Sequence, residues 1–204
     1  MGLAGICACA PLEPRTMYGM LVLASASPRR QELLRAAGIS FEVDPAHISE
    51  DPLPRETAGD CAERLAREKA FYIARKRPGD AVLGADTVVV VDGQILGKPF
   101  DSADASRMLR LLSGRLHRVI TGICLIVSGQ SSVASETTSV TMSEISEPEI
   151  SAYVATGEPM DKAGAYAIQG IASRWIPRIE GDYSNVVGLP VARVYRMLRE
   201  RRLI

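Results

Sequence analysis

Ala81-Val-Leu-Gly-Ala-Asp86-Thr87-Val-Val-Val-Val91 is the stretch that most limits what this chain can become. A valine-rich apolar run of this kind reads as a strand buried on both faces. One carboxylate, Asp86, sits in its middle. An ionised carboxylate there is costly unless it is paired, hydrogen-bonded or holding a cation. Gly84 thins the strand where another backbone or a ligand can approach. Taken alone, the stretch leaves two readings open. Asp86 is either a strand-end residue bonded to nearby amides or a functional group.

Cations and hydroxyls in positions that folding does not favour weigh towards function. Met20 to Ala24 reads as a short buried strand, followed by Ser25-Ala-Ser27-Pro28-Arg29-Arg30. Ser27 is a good N-cap and Pro28 suits the first helical position. Two arginines in a first helical turn oppose the helix dipole, which favours anions at that end. With two hydroxyls and free backbone N–H groups they form an anion site, the alternative being simple solvation. A helix from about Ala58 to Lys76 carries the apolar stripe Cys61, Leu65, Ile73, and Lys69 falls on that stripe. Lys69 either snorkels to solvent or points its ammonium into a site. On either reading, Lys69→Met is expected to leave the fold at least as stable. The loop before this helix, residues 44–57, holds the acidic pair Glu50 and Asp51, a solvated pair or a cation site.

Asp92-Gly93 is a two-residue hairpin signal, and the returning strand delivers Lys98 near Asp86. Gly97-Lys98-Pro99 is not a phosphate-binding loop of the Walker type, which requires Ser or Thr where Pro99 stands. Ser102 is expected to cap the next helix. Leu116–Val127 and Ser132–Glu144 read as two long strands, and Ser146-Glu-Pro-Glu149 as a capping box. Trp175, Ile176 and Ile179 suggest one more strand, and Gly188-Leu-Pro190 leads into the last helix. Strands and helices thus intermix, giving an α/β fold with a mixed sheet in one domain over residues 20–204. Residues 1–19 are expected to be a disordered extension, with Met17 or Met20 as equally good starts.

Lys plus Arg and Asp plus Glu are equal at 24 each, so no basic field points to nucleic acid or a membrane surface. No apolar run approaches the roughly 20 residues a bilayer span requires. Cys7, Cys9, Cys61 and Cys124 show no zinc spacing; Cys7 and Cys9 lie in the weakly patterned start, Cys61 and Cys124 are read as buried free thiols, and a reducing, cytoplasmic compartment fits best. With only His47 and His117, a histidine-rich metal site is excluded.

Ser25-Ala-Ser-Pro-Arg-Arg30, Gly84-Ala-Asp-Thr-Val88, Gly97-Lys-Pro99 and Lys162-Ala-Gly-Ala-Tyr-Ala-Ile-Gln-Gly170, in this order, resemble the Maf (septum formation protein) family of nucleoside triphosphate pyrophosphatases. The resemblance covers roughly residues 20 to 200. It implies a twisted, elongated mixed sheet with flanking helices and a central cleft, similar to inosine triphosphate pyrophosphatases. It also implies a cytoplasmic homodimer that uses Mg²⁺ or a similar divalent cation and cuts a nucleotide between its α and β phosphorus atoms. Asp86 resembles the family's proton acceptor. Ser25, Ser27, Arg30, Lys69, Lys98 and Lys162 resemble phosphate-binding residues. Glu50 and Asp86 stand as metal ligands, so Asp86 is base, ligand or both. Arg29, Thr87 and Gln169 match positions that mark the dTTP/UTP branch, rather than the branch acting on 7-methyl-GTP. Gln169 is expected to accept from the N3–H of uracil or thymine and donate to O4, with the Thr87 hydroxyl as a further base contact. Phe100 departs from the family, standing where a basic residue is common. The competing class is a non-catalytic nucleotide-binding regulator, which would not need the acid at Asp86.

Overall fold

The computed structural model describes residues 19–204. The expected extension up to residue 18, with the candidate start Met17 and with Cys7 and Cys9, lies outside the described residues. The chain runs β1 (Leu21–Leu23), α1 (Pro28–Ala36), β2 (Glu42–Val43), α2 (Ala58–Ala74), β3 (Ala81–Val91) and β4 (Gln94–Leu96). It continues through α3 (Ser102–Leu112), β5 (Leu116–Val127), β6 (Gln130–Thr141) and α4 (Glu147–Ala155). Short 3₁₀ turns then precede β7 (Arg178–Glu180), α5 (Tyr183–Val187) and α6 (Val191–Glu200).

Local chemistry explains most boundaries. The Ser27 side chain accepts from the Arg30 amide with Pro28 following, and Ser146 and Glu149 form the capping box of α4. Asp92-Gly93 and Ser128-Gly129 both carry positive φ at successive residues, as two-residue hairpins of this twist require. Two expectations are corrected, and one helix is added. Asp101, not Ser102, caps α3, because its carboxylate accepts from the Asp104 amide at 2.8 Å. Trp175 closes a 3₁₀ turn and the strand begins at Arg178, past Pro177, which lacks a donor for a ladder. The Asp182-Tyr-Ser-Asn185 segment forms α5, capped by the Asp182 carboxylate on the amides of Ser184 and Asn185.

One mixed sheet of order β2-β1-β3-β5-β6-β7 results, with β1 parallel to its neighbours and the hairpin strands antiparallel. β4 pairs with the same edge of β3 that β1 uses. β1 covers that edge at Ala81–Leu83 and β4 covers it at Val89–Val91. Between them lies a gap of a few residues, centred on Ala85–Thr87, where no strand covers the edge. The loops leaving β1 and β4 both open onto this gap.

The two faces of β3 differ. Val82, Val88 and Val90 pack under α2, whose Ala66, Ala70, Cys61, Ala62 and Leu65 complete two buried clusters. A Cβ on Gly84 would lie 2.2 Å from the Ala66 carbonyl oxygen, and one on Gly122 would lie 2.3 Å from that of Ala62. Glycines in the strands and alanines on the helix therefore let α2 lie almost backbone to backbone on the sheet. The approach expected at Gly84 is that of a helix. On the opposite face, Leu83 and Ala85 join a cluster with Leu34 and α6, while Val89 and Val91 join another with α3 and α4. Thr87 lies between these two clusters. Each fully buried aliphatic side chain in them contributes about 1.5–3 kcal/mol.

Candidate active site

All of the site residues expected from sequence line one cleft of about 790 Å³ that opens at the gap in the sheet edge. Asp86 points to the α2 face, 7% exposed. Its Oδ1 accepts from Lys69 Nζ at 2.6 Å. Close packing of α2 on Gly84 and Gly122 makes this reach possible, since Gly122 is the cross-strand neighbour of Asp86. Lys69 is 5% exposed and does not snorkel. Its ammonium also lies 2.6 Å from Glu50 Oε1. The second Glu50 oxygen accepts from Lys98 at 2.9 Å. Thus the acidic loop, helix α2, strand β3 and the β4 loop meet in one chain of alternating charge. Burial raises the Glu50 carboxyl, but the ammonium groups of Lys69 and Lys98 outweigh it and hold it at about 2. Asp51 is not part of this chain and accepts from the Ser49 hydroxyl. Lys98 is linked to Asp86 through Glu50 and Lys69 rather than directly.

The opposite face carries the second half of the site. Arg30 is buried and spreads its guanidinium over three acceptors: Nε to Gly188 O at 2.8 Å, Nη1 to Ser25 Oγ at 3.0 Å and Nη2 to Thr87 Oγ1 at 3.0 Å. Burial lowers its pKa and the nearby carboxylates of Asp86 and Glu50 oppose that. Arg30 is therefore no solvated cation. The Ser25 hydroxyl also accepts from the Ser27 amide at 3.3 Å, which orders the turn at the α1 N-terminus. Thr87 Oγ1, expected to face a base, is engaged by Arg30, Thr121 and Gly188. Its hydroxyl is committed inside the protein.

Arg29 reaches across the cleft mouth to Asp161, with Nη1 3.2 Å from Oδ2. The same carboxylate meets Lys162, whose ammonium also donates to the Glu158 carbonyl. Burial raises the Asp161 carboxyl, and Lys162 and Arg29 together hold it below its ordinary value. Gln169 is exposed on the cleft wall. Phe100, 92% exposed, stands at the rim beside Lys98.

A family model described as Maf-like protein matches residues 20–201. The chain belongs to the Maf family. It is 59% identical over 179 residues to a dTTP/UTP pyrophosphatase of Koribacter versatilis, covering 88% of this chain and 93% of that protein. Proteins of the same description from Symbiobacterium thermophilum and Geobacter sulfurreducens are each 52% identical, covering 88% and 89% of this chain and 93% and 96% of theirs. Among solved structures, a HAM1 protein from Coxiella burnetii aligns with a TM-score of 0.40 and 21% identity, over 60% of this chain and 72% of its own. That likeness is too slight to carry an argument, and the α/β fold rests on the sheet described above.

Within this Maf chain, Asp86 and Glu50 are the two carboxylates that converge, both on the Lys69 ammonium. Among the described residues, no cluster of three or more His, Cys, Asp or Glu side chains is placed to hold a metal. A Mg²⁺ ion commonly takes only one or two carboxylates and completes its shell with water and substrate phosphates. The donors therefore fit a divalent cation that arrives with a nucleotide rather than one caged by protein alone.

Sequence reasoning did not find Gly188, Thr121, Asn185 or Asp161. The Asp182-x-x-Asn185 spacing was the available signal for a capped turn. No local pattern announces that Thr121 pairs with Thr87 in the sheet.

Proposed function

We propose that this Maf protein hydrolyses dTTP and UTP to the monophosphate and pyrophosphate. The observation that carries the reading is the carboxylate Asp86 held beside Lys69 in a cleft walled by Arg29, Arg30, Lys98 and Lys162. A nucleoside triphosphate carries about four negative charges, and its cleavage demands positioning and charge neutralisation more than covalent help. Arg30, with Ser25 and Ser27, anchors one end of the phosphate chain, and Lys69 and Lys98 supply point charges at the other.

In this reading Asp86 is the proton acceptor. Lys69 occupies Oδ1, which leaves Oδ2 to take the proton of a water attacking the α-phosphorus as the α–β oxygen bond breaks and pyrophosphate leaves. The Lys69 ammonium, 2.6 Å from Oδ1, holds the carboxylate in place for this role. Asp86 and Glu50 would hold the divalent cation, whose chemistry is to neutralise phosphate charge and lower the pKa of water. Gln169 remains the proposed reader of the base edge, and Arg29 assists from the mouth. The Thr87 hydroxyl acts through Arg30. The buried free thiols of Cys61 and Cys124, both pushed up to about 11 chiefly by burial, support a reducing cytoplasmic setting. The homodimer rests on the family resemblance and is checked by light scattering, where a monomer would remove it.

Pyrophosphate release from a panel of nucleotides tests the assignment. UTP and dTTP should exceed CTP, ATP and GTP, and Gln169→Glu should erode the preference of UTP over CTP. A parent enzyme that turns over CTP as well as UTP would refute base reading by Gln169. One that releases no pyrophosphate from any nucleotide would refute the reaction.

A further inference from the structure

The two apolar clusters on the α1/α3 face of the sheet do not merge. A polar seam separates them, and it starts at the cleft. Arg30 Nη2 donates to Thr87 Oγ1 at 3.0 Å, and Thr87 Oγ1 lies 2.9 Å from Thr121 Oγ1, its cross-strand partner on β5. Thr121 donates to the Asn185 carbonyl at 3.3 Å. The Asn185 amide donates to Val119 O and to Thr138 Oγ1, each at 3.0 Å. Thr138 in turn donates to the Asp182 carbonyl at 3.0 Å and accepts from the Asp182 amide at 3.1 Å. Thr121, Thr138 and Asn185 are all completely buried. Burying three such groups where valine or leucine would fit is unfavourable unless their bonds hold something in place.

What they hold is α5 and the arginine at its end. Asp182 caps the N-terminus of α5, Asn185 pins its middle to β5 and β6, and the carbonyl of Gly188 at its end accepts from Arg30 Nε. Arg30 is thus fixed from two sides, by the end of α5 and by the Thr87–Thr121 pair. Three of its five N–H donors are used by Gly188, Ser25 and Thr87. The other two are the ones free for a phosphate, and their direction follows from the three that are fixed. Asn185 Oδ1 has no hydrogen-bond partner among the described residues. The residue is accordingly kept for what its amide and backbone carbonyl hold.

Resting on the triphosphate reading above, we infer that Thr121 is a positioning residue for substrate binding. It touches no substrate. Its hydroxyl links Thr87 to the α5 carbonyl of Asn185 and so orients the two free donors of Arg30 towards the phosphate chain. Because it acts on phosphate placement, its effect is the same for UTP and dTTP and falls on KM rather than on kcat.

Steady-state kinetics of Thr121→Val, which removes the hydroxyl at constant shape, tests this. KM for both UTP and dTTP is expected to rise about tenfold, the effect of one weakened hydrogen bond to a charged ligand, with kcat within a factor of about three. Thr121→Ser should restore KM close to the parent value. A merely structural Thr121 would lower the active fraction, and therefore kcat, at unchanged KM. Unchanged KM in a folded Thr121→Val enzyme, or a serine variant as impaired as the valine one, overturns the inference. If the valine variant does not fold, Thr121→Ala removes the same hydroxyl without pressing a methyl on the Asn185 carbonyl, and the same split is read. Calorimetric binding of inorganic pyrophosphate to parent and variant reads Arg30 placement without turnover. Weaker binding by the variant supports the inference and equal binding refutes it. An inactive parent that still shows this difference would sink the proposed reaction and leave Thr121 in its role.

Discussion

Lys69→Met isolates the central electrostatic feature of the site. The ammonium sits 2.6 Å from Oδ1 of Asp86 and 2.6 Å from Oε1 of Glu50, at a position only 5% exposed. Removing one partner of a buried pair destabilises by roughly 3–5 kcal/mol, because the other charge stays buried. Asp86 is as buried as Lys69 and bears most of this. The Glu50 side chain is 40% exposed and keeps Lys98, so solvent screening reduces its share to about 1 kcal/mol or less. A loss of about 3 kcal/mol at pH 7.5 follows, or a drop in Tm of about 6–12 °C for a domain of this size. The pH dependence carries its own sign. In the parent, Glu50 is depressed from 4.5 to about 2, so its contribution is present above pH 4.5 and is lost as pH falls towards 2. In the variant, two carboxylates share a space with no cation between them, and protonation of either relieves the repulsion. The deficit should therefore shrink between pH 7.5 and pH 4. Urea denaturation at several pH values measures it, and Asp86→Asn added to Lys69→Met should recover part of the loss. A methionine variant as stable as the parent at pH 7.5, or equally destabilised at every pH, would refute the reasoning.

Asp86→Asn should retain the fold and lose at least ~100-fold in kcat for UTP, the low end of what a positioned acid–base group supplies. Near-parent turnover would remove Asp86 from the chemistry. Gly84→Ala places a methyl 2.2 Å from the Ala66 carbonyl oxygen, so α2 must shift. A destabilisation of about 1–3 kcal/mol is expected, together with lost activity as Lys69 moves from Asp86, and circular-dichroism melting beside a turnover assay would read both. Chelation by EDTA should abolish pyrophosphate release while leaving the melting temperature unchanged, because Lys69 already compensates the converging carboxylates. A large fall in Tm on chelation would point to a resident structural metal instead.

The part of this site legible in the sequence was the part made of misplaced charge. A carboxylate in a valine run, a lysine on an apolar stripe and two arginines at a helix start each break a local rule, and each of these side chains lines the cleft. Their partners were harder to read. Lys69 was expected to tolerate methionine because a stripe position tells burial and not company, and its company is two carboxylates from different elements. Thr87 was assigned to the base because it follows Asp86, yet alternation along a strand sends adjacent side chains to opposite faces, and the register placed Thr121 and Arg30 beside it. Strands β3, β5 and β6 were visible from their length and turns. The turns after Glu158 were not, since small residues in 3₁₀ geometry leave no period to detect.

β3, β5 and β6 each pass through both clusters on the α1/α3 face, and the cleft opens at the uncovered edge of β3. The walls of the cleft are therefore built on one continuous set of three paired strands. A rigid-body rotation of one wall towards the other would have to bend all three ladders at the same point, where α2 also lies flat against them. Ligand-driven rearrangement is thereby confined to the segments that enter the cleft from its margins: the turn at 25–30, the acidic loop at 44–57, the β4 loop and the 3₁₀ turns that carry Asp161 and Gln169. On the proposed reading, substrate capture would exchange ion pairs at these margins, Arg29 leaving Asp161 and Lys98 leaving Glu50, while the three paired strands stay in place.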